Sequence, residues 1–251
     1  MSYQHFIWLY RYLWITPHVL LLPVAALMFR KKLHKQYPVF FSYLVFEFVE
    51  FCAVFILPRR VPLSFYVRVD FLFRIGDAAL SFAIIQELFA AGVGQLDSMR
   101  NQTIRLLRWV TLALVLLGSL CIWGLCYSRL NPAAFPDYWS IEALRVAQCG
   151  LLFLVFLWHR LLGVRMPPFS FGIAMGMALI ASVDLLVLAF KTFIVVPNGM
   201  WFDMLNMAAY HAAVLVWLYF ALARKKNLSF DSSPPLPQLR EHAAELERRA
   251  R

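Results

Sequence analysis

Seven stretches of this chain are apolar over about the 20 residues that an α-helix needs to cross a hydrocarbon core. They lie near 6–29, 38–57, 67–89, 108–127, 139–160, 168–190 and 201–223. A chain so constructed has few folds open to it, because a bilayer offers no water to backbone N–H and C=O groups and these must pair within the segment. The expected fold class is all-α: a polytopic membrane protein built as a bundle of seven transmembrane helices. Residues 1–226 would form that domain. The remainder, 227–251, is expected to be a cytoplasmic tail with a Pro-rich stretch and at most a short terminal helix.

Composition agrees with this reading. Hydrophobic residues make up 62% of the chain and charged ones 15%, whereas a globular domain carries about 25% charged residues. The net charge of +10 would suit nucleic acid, but the basic residues cluster in short connections beside the spans, and no zinc-finger, RNP or basic-zipper pattern accompanies them. No nucleic-acid partner is expected. Twelve Lys and Arg fall in one set of connections: "RKKLHKQ", Arg100, Arg105, Arg108, Arg160, Arg165 and "RKK" at 224–226. The other set holds five: Arg59, Arg60, Arg68, Arg129 and Lys191. The positive-inside rule then puts the N-terminus outside and the C-terminus in the cytoplasm. Cys52, Cys121, Cys126 and Cys149 form no CxxC pair and read as small buried hydrophobes.

What this architecture does not require is charge inside the spans, and there is a good deal of it. Eight of the 14 acidic residues fall within them: Glu47, Glu50, Asp70, Asp77, Glu87, Glu142, Asp184 and Asp203. Arg11, Arg74 and Arg145 join them. A central Asp or Arg costs roughly 2.5–3.5 kcal/mol on the insertion scale, so such groups normally face a cavity or one another. Counted inward from the outer boundary, nearly all lie between that surface and the midplane, with Glu87 the exception near the cytoplasmic end. A polar vestibule open to the outside and closed below is expected, lined by Arg11, Glu50, Asp70, Arg74, Glu142, Arg145 and Asp203. Asp70, Arg74 and Asp77 share one helix face. Depth also puts Arg74 near the level of Glu50. At the vestibule floor a midplane network of His18, Glu47, Asp77, Asp184 and His211 is expected, with Glu47 and Asp77 at one level.

The network reads as a hydrogen-bonded core, a proton-coupled switch or a metal site. No cofactor is expected, and the sequence leaves metal occupancy open. The last span has no lysine, which excludes a retinal Schiff base, and Leu215 follows His211 at i+4, so it offers no HxxxH zinc pair. "GIAMG" at 172–176 and the Ala208/Ala212 pair read as close helix packing. The strings "YPVFFSYLVFE" and "GDAALSFAIIQELF" resemble segments of a group of bacterial seven-helix integral membrane proteins. The resemblance covers the first three spans and implies a bacterial plasma membrane; no activity is carried over with it.

Three functions compete. The first is a sensor or receptor-like module that binds a small anionic or amphiphilic ligand in the vestibule and signals through a cytoplasmic protein partner at the tail. The second is a membrane enzyme or transporter using the midplane carboxylates and histidines. The third is a structural subunit of a membrane complex. The lipid bilayer is a partner in all three.

Overall fold

The structure is a computed structural model that describes residues 3–57, 61–93, 105, 109–110, 112–113, 116, 120, 147–157, 166–193 and 200–223. The described residues form helices and their connections, with no strand among them. We number the helices α1 (Tyr3–Arg30), α2 (Pro38–Ile56), α3 (Leu63–Val93), α4 (Ala147–Leu157), α5 (Pro168–Phe193) and α6 (Met200–Leu222). Four segments are long and apolar enough to cross a membrane: His5–Arg30, Pro38–Ile56, Pro168–Val187 and Met200–Leu222. This is a helical membrane protein. The fourth expected span is described only at scattered positions and the fifth only as α4. By contact the chain divides into Met1–Ala221 and Leu222–Arg251. In the second unit only Leu222 and Ala223 are described, so the expected tail lies outside the described residues.

Local chemistry sets the ends of the elements. Pro38 opens α2 at the first helical position, where a missing N–H costs nothing, and Pro168 opens α5 in the same way. α1 stops at Lys32, which adopts a left-handed backbone (φ 58°) and leads into a one-turn 3-10 helix, Leu33–Lys35. Of the described residues other than glycine, only Lys32 has a positive φ.

Polar ties gather five helix ends at one end of the first unit. The Glu87 carboxylate, near the end of α3, accepts the backbone N–H groups of Val39 (2.9 Å) and Phe40 (3.1 Å). These are orphan donors of the first turn of α2, and Tyr37 gives that helix no side-chain cap. A negative charge there also complements the helix dipole. At the end of α1, the Lys31 ammonium donates to the Ala221 carbonyl near the end of α6 at 2.5 Å. Just before α2, the Tyr37 hydroxyl bonds Ser170 Oγ in the first turn of α5 at 2.6 Å, both groups buried. Burial pushes the Tyr37 phenol above its ordinary range, against the opposing pull of the Ser170 bond.

The core fills this same end. Leu21, Val24 and Met28 of α1, Phe40 and Leu44 of α2, Ile84, Ile85 and Leu88 of α3, Ile173 and Ala174 of α5, and Val214, Trp217 and Ala221 of α6 are essentially solvent-free. Trp217 is the keystone. Its ring meets Phe40 edge-on at 5.2 Å and lies 6.1 Å from Tyr43, and its Nε1–H donates to the Ile173 carbonyl at 3.4 Å. The close packing expected of Gly172 and Gly176 takes an asymmetric form, with each glycine receiving an aromatic ring rather than a small residue. A Cβ at Gly172 would sit 2.5 Å from Phe220 Cγ, and one at Gly176 would run into the Trp217 indole. Toward the other end, the buried residues are fewer and less completely enclosed, among them Ala78, Met204 and Ala209. The first unit is tightly packed at one end and looser at the other.

Candidate functional site

The looser half is where the sequence places its intramembrane charge. On α3 the i,i+4 spacing of Asp70 and Arg74 yields an ion pair, Arg74 Nε donating to Asp70 Oδ2 at 2.8 Å. The Arg74 side chain remains 51% exposed and that of Asp70 27%. Two turns beyond Asp70, Asp77 Oδ1 accepts a 3.4 Å bond from the Ser81 hydroxyl, whose residue is fully buried.

From the facing helices comes the group that sequence reasoning missed. Tyr210 of α6 donates its hydroxyl to Glu47 Oε2 of α2 at 3.1 Å. Glu47, Asp77 and Glu50 all act electrostatically on that hydroxyl. Tyr210 thereby ties α6 to α2. One signal could have found it: a phenol inside an apolar span needs a partner, and it precedes His211, a residue already singled out.

His18 of α1 completes the group. Its Nδ1–H donates to the Trp14 carbonyl at 2.7 Å, which in a neutral ring leaves Nε2 as an acceptor. Pro17 precedes it inside the helix. The ring stacks on Phe51 at 4.4 Å and lies 5.3 Å from the Tyr210 ring. Trp14 in turn meets Phe51 at 5.5 Å and Phe55 at 6.2 Å. An aromatic wall thus runs beside the carboxylates.

His211 lies against Tyr12, with ring centroids 5.7 Å apart. Its Nδ1 and the Asn206 Oδ1 one helical turn away are buried atoms with no hydrogen-bond partner. Of the remaining expected residues, Arg11 and Asp203 are exposed, Asp203 in the first turn of α6, and Asp184 of α5 is partly buried. Glu142 and Arg145 lie outside the described residues. The structure thus brings Glu47 and His18 to Tyr210, and bonds Asp77 to Ser81. Arg74 it pairs with Asp70. Glu87 stands apart from the site as the cap of α2.

Among the described residues no three His, Cys, Asp or Glu side chains are grouped so as to hold a metal ion. The chemistry present is that of hydrogen-bond acceptors, negative charge and aromatic faces, on side chains that are only partly buried. No family model, curated protein or solved structure matches the chain.

Proposed function

We propose that the chain is a seven-helix sensor-like protein of a bacterial plasma membrane. Its looser half would be an outward-facing vestibule that binds a small ligand, with the tail passing the signal to a cytoplasmic protein. One observation carries this reading: the partly buried polar groups, Glu47, Glu50, Asp77, His18 and Tyr210, share one half of the unit, and the solvent-free apolar core occupies the other. A site closed at one end and accessible at the other is what a receptor needs, whereas a transport path would need polar groups through both halves.

Helix count is supported by parity. The end of α3 and the start of α5 lie at the same end of the unit, tied through Glu87 to α2 and through Tyr37 to Ser170. An even number of crossings between α3 and α5 would agree with the two apolar stretches that the sequence holds near 108–127 and 139–160, for seven in all. The closed end carries Lys31, Lys32 and Lys35, and the positive-inside rule makes it cytoplasmic.

Accessibility tests the reading. In a variant whose native cysteines are serine, Glu50→Cys and Asp203→Cys should react with a membrane-impermeant maleimide added to intact cells, and Ala213→Cys should not. Labelling of Glu50→Cys only after permeabilisation would overturn the outward orientation.

A further inference from the structure

The connection from α1 to α2 gathers basic side chains at the tightly packed end of the unit. Arg30, Lys31, Lys32 and Lys35 fall within six residues, with His34 among them. We infer that this turn binds the headgroup phosphate of an anionic phospholipid through Arg30, Lys32 and Lys35. The inference needs only a membrane surface at this end and is independent of the vestibule reading.

Backbone geometry comes first. Lys32 takes a left-handed conformation and the one-turn helix Leu33–Lys35 follows it, so the chain reverses within a few residues. His34 folds the turn against both neighbouring helices. Its ring stacks on Phe29 of α1 at 4.9 Å and lies 5.8 Å from Phe41 of α2. The turn is held from both sides while Arg30, Lys32 and Lys35 remain exposed.

Counter-charge decides which of these cations are available. Lys31 donates to the Ala221 carbonyl at the end of α6 and is left out of the site. Arg30, Lys32 and Lys35 take part in no ion pair among the described residues. The Glu87 carboxylate at this end is engaged by the N–H groups of Val39 and Phe40 instead.

Apolar surface beside the charge points to a lipid rather than a soluble anion. Phe29, next to Arg30, is 63% exposed. Tyr219, two residues before the carbonyl that Lys31 reaches, is 69% exposed. A tyrosine at the end of a span suits the headgroup level, and lysine stems lie along apolar surface while their ammonium groups stay in water. Acyl chains and a phosphate therefore find their partners side by side. Basic clusters beside a span attract anionic lipids, each Lys or Arg adding about fivefold in affinity.

Native mass spectrometry of the full chain in detergent tests this, with dioleoylphosphatidylglycerol titrated against the zwitterionic dioleoylphosphatidylcholine. The first phosphatidylglycerol should bind at least about tenfold tighter than the first phosphatidylcholine. Lys32→Gly with Lys35→Gln suits the left-handed turn and should lose that preference. Arg60→Gln with Arg68→Gln removes as much charge from the other set of connections and should keep it. Glycerol 1-phosphate, a headgroup anion without acyl chains, should not compete; effective competition would assign the turn to a free phosphate and overturn the lipid inference. Equal binding of the two lipids by the unmodified chain overturns it too, and leaves the turn to an acidic protein segment. So does a preference that survives the first variant, or one that both variants abolish. Should the first variant fail to fold, Lys35→Gln alone is read in its place and should weaken phosphatidylglycerol about fivefold.

Discussion

At the residue scale the decisive contact is Tyr210 to Glu47. A hydroxyl and a carboxylate from different helices meet at 3.1 Å in a setting where an unmade bond leaves a polar group poorly solvated. Tyr210→Phe should lower stability by about 1–2 kcal/mol, read from thermal unfolding in detergent. Glu47→Gln keeps an acceptor oxygen and should cost less than Glu47→Ala, which removes the bond and also opens a cavity. If Tyr210→Phe and Glu47→Ala add independently in a double-mutant cycle, the two groups do not depend on one another. The Asp70–Arg74 pair behaves differently. Arg74 is half exposed, so Asp70→Asn should cost only a few tenths of a kcal/mol, as expected of i,i+4 pairs in contact with solvent. A loss above about 2 kcal/mol would show that this pair works in low dielectric.

At the scale of elements, helix ends and notches carry the specificity. Glu87 caps α2 from another helix, so Glu87→Ala should cost about 0.5–2 kcal/mol, the value of a lost N-cap. Glu87→Gln should cost less, because its amide oxygen still accepts one N–H. Equal losses for both variants would mean that the charge, through the helix dipole, outweighs the bond count. The glycine notches make a sharper prediction. Gly176→Ala drives a methyl group into the Trp217 indole, and overpacking of this kind costs about 1–3 kcal/mol. Combining Gly176→Ala with Trp217→Leu should cost less than the sum of the two single changes, since the smaller side chain gives way. Lys32 holds a left-handed backbone that suits glycine, so Lys32→Gly should leave stability unchanged or raise it by up to about 1 kcal/mol.

Across the described residues of the first unit, a solvent-free apolar core fills one end and partly buried polar groups lie toward the other. The ties from Lys31 to Ala221, Glu87 to Val39 and Phe40, and Tyr37 to Ser170 all lie at the core end. In the polar half, Tyr210 and Glu47 tie α6 to α2. Reporter fusions test the parity argument. A phosphatase active only outside should work when fused near Asn131 and fail near Arg100 and Arg165. Activity at all three sites, or at none, would remove the pair of crossings between α3 and α5.

Much of the architecture was legible in the sequence because bilayer thickness and backbone hydrogen bonding act on each segment separately. Span positions for α1, α2, α5 and α6 follow from apolar length, the starts of α2 and α5 from their prolines, and the Asp70–Arg74 pair from helical spacing within one element. What depends on two elements meeting was not legible. Depth counting put Glu47 and Asp77 at one level but could not bring Tyr210 to Glu47, because rotation about the helix axis decides which side chains face one another. It likewise isolated Glu87 as the exception without showing its use, since a cap supplied by a different helix leaves no local signature. Gly172 and Gly176 announced a close approach, yet only packing assigned Phe220 and Trp217 to fill it. Sequence determined which segments enter the membrane; tertiary structure decided which polar groups meet there, because the latter rests on contacts between helices distant along the chain.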